Sequence, residues 1–156
     1  MRIYTFLLRI SLGILFFYAG ITKVINPHWS AAGYLKGAQT FSGFYNFLLQ
    51  PNILPIINFV NEWGLTLLGI SLLLGIFVRL SSKLGALLML LYYIPILHFP
   101  YVGKGTMSFL VDEHIILILS LLLVGSLKAG RFLGLEKWCS SLPICSKYPK
   151  LRELLG

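Results

Sequence analysis

Apolar residues run almost unbroken over about 4 to 25, 53 to 77, 82 to 99 and 109 to 127. Between them, "NPHWSAAGYLKG", "VRLSSK" and "FPYVGKGTMS" gather turn formers and charge. Each run is close to the ~20 residues that an α-helix needs to cross a bilayer. The pattern predicts an all-α integral membrane four-helix bundle. The first run reads as a retained span rather than a signal peptide. Arg9 splits it, no small-x-small cleavage pattern precedes Lys23, and three further runs follow. The stretch from about 26 to 51 is too long to be structureless in so compact a chain. Phe41, Phe44, Tyr45 and Leu48 follow i, i+3, i+4, i+7 spacing. With Trp29 and Tyr34 they predict one or two short interfacial helices in this first outer loop, acting as an aromatic belt or as a lid over the bundle mouth.

Composition agrees with a membrane setting. Of 156 residues, 57% are hydrophobic and 12% charged, more apolar surface than a soluble domain buries. One transmembrane domain is expected over 1–138, followed by a basic tail over 139–156. The net charge of +8 is distributed unevenly. Arg2, Arg79, Lys83, Lys128, Arg131, Lys137, Lys147, Lys150 and Arg152 fall on one side of the predicted spans, nine residues against Lys23, Lys36 and Lys104 on the other. Cytoplasmic loops keep Lys and Arg in excess, so a multi-pass protein of the cell membrane with both termini cytoplasmic is expected. The tail segment "KYPKLRELL" suits an anionic lipid surface rather than nucleic acid. Cys139 and Cys145, in "CSSLPIC", are then cytoplasmic and reduced, and their spacing matches no common metal or redox motif. Glycines form no nucleotide-binding motif; they sit within the spans, where small residues let helices approach closely. Arg9 and Arg79 read as snorkelling cations.

This orientation gathers ionisable groups in one leaflet. The first helix ends with Lys23, the second carries Glu62, the third ends with His98 and the fourth contains Asp112, Glu113 and His114. A helix starting after Glu113 is too short to cross, so the fourth is expected to begin near Ser108, with the triplet one to two turns inside. Ionisable groups within a membrane point to function. Glu62 and His114 are the candidate proton-handling, catalytic residues, with Lys23 and Asp112 orienting or balancing them; Glu113 reads as an interface residue. Trp29, Tyr92 and His98 complete the expected pocket. Pro95 removes a helix donor and so frees a carbonyl beside Tyr92 and Tyr93. A haem needs two axial histidines at matched depth, which His98 and His114 do not offer, and no metal is assigned.

The ordered set "LRISLGILFFYAGITKVINP", "WSAAGYLKGA", "EWGLTLLGISLLLGIFVRL" and "DEHIILILSLLLVGSLKAGRFLGLEKW" resembles the DoxX family of small four-helix membrane proteins, especially its DoxD-like branch, over about residues 7 to 138. The resemblance implies a membrane subunit of quinone-linked redox chemistry. Its named example is the DoxD subunit of thiosulfate:quinone oxidoreductase, which works with a second subunit, DoxA. No DoxA-like region occurs in this chain, so a second redox subunit is the implied partner, beside membrane lipids. The resemblance and these residues together leave two functions as expectations. One is a subunit of a quinone-linked oxidoreductase acting on sulfur compounds or related substrates, with quinone as its cofactor. The other is a non-catalytic membrane protein that binds a lipid or scaffolds a partner.

Overall fold

The computed structural model describes residues 2–103 and 108–135. Cys139, Cys145, Lys104 and the basic tail lie outside the described residues. Helix α1 spans Arg2–Ile25, α2 Ala32–Lys36, α3 Ser42–Leu48, α4 Leu54–Leu74, α5 Val78–Ile96 and α6 Glu113–Ser126. Two of them, α1 and α4, are long and apolar enough to cross a membrane. The first loop does hold two short helices, α2 and α3.

The helix boundaries follow local chemistry. Gly75, at φ +69°, closes α4 by donating its N–H to the Ser71 carbonyl at 2.9 Å. A left-handed residue after the last turn is a common helix stop, and glycine adopts it without a Cβ penalty. The chain turns at once into α5, which starts at Val78 rather than near residue 82. The last run departs further from expectation. Ser108–Phe109 form a strand, β3, not the start of a helix. With β1 (Leu97–His98) and β2 (Tyr101–Val102) they make an antiparallel sheet in the order β1-β2-β3. Asp112 then stands in extended backbone as the N-cap of α6, accepting from the N–H groups of His114 and Ile115. Capping satisfies donors that would be orphaned at a helix start, and it sets the start at Glu113. The 14 residues of α6 span about 21 Å.

Packing is uneven around the molecule. The closest associations are α1 on α4 and α5 on α6, while α4 with α5 and α1 with α6 touch more sparingly. Phe16, Leu65, Leu72, Leu121 and Val124 form the heart of one shared core. Glycine permits the α1–α4 approach. A Cβ on Gly20 would collide with the backbone of Thr66, and one on Gly69 with the backbone of Phe17. Membrane helices gain no hydrophobic advantage over lipid from associating, so close van der Waals contact of this kind carries much of the attraction.

Arg9 corrects an expectation. It does not snorkel; it is fully buried. Its Nη1 donates to the Ala129 carbonyl at 3.1 Å and its Nη2 to the Leu133 carbonyl at 2.9 Å. The guanidinium also stands 5.3 Å from the Phe6 ring centre. A buried cation needs such acceptors. Here they tie the 3-10 turn Ala129–Arg131 and the residues after it back onto α1.

Two alanine substitutions test the glycine contact. Gly69→Ala forces overpacking and is expected to cost about 1–3 kcal/mol. Gly64→Ala, where a Cβ meets nothing within 4 Å, is expected to hold or slightly raise thermal stability in detergent, since alanine favours a helix interior over glycine.

Candidate functional site

Lys23 closes α1, three residues beyond Gly20, and the tight α1–α4 contact delivers it to α4. Its Nζ donates to Asn61 Oδ1 at 3.1 Å and to the Tyr92 hydroxyl at 3.5 Å. The ammonium also lies 4.9 Å from the Trp29 ring centre and 5.6 Å from that of Tyr92. Aromatic faces carry negative potential, so the two rings stabilise the cation where water is scarce.

Across Tyr92 stands a second polar group. Asp112 uses one carboxylate oxygen to cap α6, accepting from the His114 N–H at 3.0 Å and the Ile115 N–H at 3.3 Å. Its other oxygen lies 2.6 Å from His114 Nδ1. That contact assigns a proton to Nδ1 and leaves Nε2 as the ring's second functional atom. The His114 ring meets Tyr92 edge-on at 6.2 Å.

Lys23, Asn61, Tyr92 and His114 line a cavity of about 530 Å³, roofed by Trp29, Tyr34, Phe44 and Tyr45. Its size and its few polar groups on an otherwise apolar wall suit a small organic ligand. The roof is held by hydrogen bonds to the end of α5. Pro95 cannot donate to the carbonyl of Leu91, four residues earlier. The buried Tyr45 hydroxyl donates to it instead, at 3.0 Å. Tyr34 donates to the Tyr92 carbonyl, Thr40 to the Leu97 carbonyl, and the Gln39 N–H to the Pro95 carbonyl at 2.8 Å. Asn58 of α4 accepts from the Ala31 N–H at 3.0 Å. The first loop is thus bonded to both α4 and α5. Burial pushes the Tyr34 phenol well above its ordinary range, with Tyr92, Tyr45, Asp112 and Glu113 acting in the same direction. Burial likewise raises Tyr45. Both phenols stay protonated, as donors, through the physiological range.

The expected site residues divide. Lys23, Trp29, Tyr92 and His114 line the cavity, and Asp112 supports it through His114. Glu62 is half-buried one position along from Asn61 and is not part of the wall. It forms no direct ion pair with Lys23 among the described residues. Asn61 is the α4 residue that receives Lys23. A signal for it exists in the sequence: Asn61, Leu65, Leu68 and Leu72 repeat at i, i+4, i+7, i+11, the buried stripe of α4, from which Glu62 is rotated away. His98 is exposed in β1 and does not line the cavity. Among the described residues no three His, Cys, Asp or Glu side chains converge as metal ligands would. Glu113 reaches the cavity wall.

Tyr45→Phe isolates the roof contact. It leaves the Leu91 carbonyl without the donor that replaces Pro95, and is expected to lower stability by about 1–3 kcal/mol, read from unfolding in detergent.

Among curated proteins and solved structures none matches the chain. The family model of DoxX matches residues 4–98, from α1 to the end of β1, which includes Lys23, Trp29, Asn61 and Tyr92 and stops before Asp112 and His114. The match covers more than half of the 156 residues. With two apolar helices long enough to span a bilayer, the chain belongs to the DoxX family of membrane proteins.

Proposed function

We propose that this DoxX protein crosses the membrane four times, through α1, α4, α5 and the apolar run 109–127 in which the extended residues before Asp112 lengthen the crossing made by α6, and binds the ring of a quinone in the cavity beneath the first loop. In this reading it is the membrane subunit of a quinone-linked oxidoreductase of the DoxD type. A second subunit supplies the electrons. The observation that carries the reading is the juxtaposition of Lys23 and the Asp112–His114 pair on either side of Tyr92, inside an apolar cavity.

A bound quinone supplies two carbonyl oxygens that take up two electrons and two protons on reduction. The residues present fit that need. Lys23 supplies an ammonium that stabilises negative charge developing on an oxygen. Tyr92 accepts from Lys23 and keeps its own hydroxyl proton for donation. His114 holds a transferable proton at Nε2 when charged, and Asp112 both orients the ring and offsets its charge. The roof of Trp29, Tyr34 and Tyr45 excludes water from the ring.

Binding of a short-chain quinone analogue to purified protein in nanodiscs tests the reading. Lys23→Met and His114→Ala are each expected to weaken binding about tenfold, or 1.4 kcal/mol, with Glu62→Gln and Glu113→Gln affecting it less. Equal affinities for parent and all four variants at equal thermal stability would reject the quinone site and favour a lipid-binding or scaffolding role.

Topology has its own test, motivated by the nine-to-three distribution of Lys and Arg. With both termini cytoplasmic, a membrane-impermeant thiol reagent added to intact cells is expected to leave Cys139 and Cys145 unlabelled until lysis. Labelling before lysis would reverse the orientation.

A further inference from the structure

The polar cavity has a neighbour. Val60, Leu88 and Leu91 line it and also line an apolar groove of about 620 Å³ between α4 and α5. From Val60 the groove follows α4 to Leu74 and the turn at Phe77, a path of about 21 Å at the helical rise of 1.5 Å per residue. Leu67 and Leu84, each 58% exposed, form its outer lips. The groove therefore faces outward, between two helices that touch only sparingly.

Its chemistry differs from that of the cavity. Ser71 and Ser81 carry the polar side chains of the groove, and their hydroxyls bond one another at 2.7 Å. Ser71 is engaged by the Ile76 carbonyl as well, at 2.5 Å. The groove thus presents hydrocarbon to an occupant, and a polar head gains nothing there. The shared residues Val60, Leu88 and Leu91 set the groove directly against a chamber that does offer polar partners. Polar chamber and apolar channel match the two parts of one molecule.

We propose that the α4–α5 groove holds the single apolar chain of the ligand whose ring occupies the polar cavity, and that this ligand enters laterally from the membrane between α4 and α5. The proposal rests on the quinone reading and narrows it to a long-chain quinone of the alkyl or polyprenyl type. The groove's length, about 21 Å against a hydrocarbon core of about 30 Å, accommodates a chain that continues beyond one leaflet. A small water-soluble quinone would leave it unused.

Gly64 provides the test. It lines the groove, and a Cβ added there meets nothing within 4 Å, so a larger side chain fills the groove without striking the fold. Affinities of parent and Gly64→Phe are measured for two quinones with the same ring, one without a chain and one with a long alkyl chain. For each ligand the variant is compared with the parent in the same detergent, so partition into the micelle cancels. Gly64→Phe is expected to weaken the long-chain quinone about tenfold by steric exclusion and to leave the chainless one unchanged. Leu119→Phe, at a 63% exposed position of α6 outside the groove, is expected to alter neither. Unchanged binding of both quinones by Gly64→Phe would reject the groove and leave the ring site standing. Equal weakening of both would also reject it, since the substitution would then act on the ring site. If neither quinone binds the parent, the ring site and the groove fall together.

Discussion

The backbone contact between α1 and α4 governs the rest of the molecule. Gly20 against Thr66 and Gly69 against Phe17 let the two helices approach to a distance that any side chain would prevent. Lys23 lies one turn beyond Gly20 and Asn61 little more than one turn before Thr66, so the contact carries the ammonium onto the amide. A looser pairing would leave Lys23 without that acceptor in an apolar setting, where an uncompensated charge is costly. The position of the cation is thus a consequence of two absent side chains.

A second constraint acts at the far end of α5. Pro95 removes one donor from the helix, and the first loop replaces it with the Tyr45 hydroxyl. Tyr34, Gln39 and Thr40 continue the same exchange with neighbouring carbonyls. Each bond satisfies a carbonyl near the helix end and at the same time holds the loop over the cavity. The roof exists because the helix end needs donors. A longer, uninterrupted α5 would offer the loop fewer places to attach.

Polar groups elsewhere obey the same accounting. Arg9 is buried among backbone carbonyls that follow α6, and Asp112 divides its two oxygens between the helix start and His114. Asp112 links fold and chemistry most directly. The oxygen that caps α6 fixes where the helix begins, and the second oxygen orients the ring that faces the cavity. The cost of placing a carboxylate near the apolar core is met by three hydrogen-bonding partners.

Much of this was legible in the sequence, because periodicity and hydrophobicity act locally. Four apolar runs mark α1, α4, α5 and α6, and the spacing of Phe41, Phe44, Tyr45 and Leu48 marks structure in the first loop. Side-chain chemistry singled out Lys23, Trp29, Tyr92 and His114, which do meet at one cavity. Tertiary structure decided what depends on rotation and on distant partners. A 100° step along α4 separates Asn61, on the buried stripe, from Glu62 beside it, and only packing against α1 tells which one receives Lys23. Arg9 resembled a snorkelling cation because its acceptors, the carbonyls of Ala129 and Leu133, are more than a hundred residues away and carry no signature in their side chains. Hydrophobicity continues through Phe109, Leu110 and Val111 and so carries no mark of where α6 starts, whereas pairing of Ser108–Phe109 with β2 and the Asp112 cap place that start at Glu113. Local sequence sets which segments are apolar and which groups are reactive. The backbone contacts between segments determine which of those groups meet.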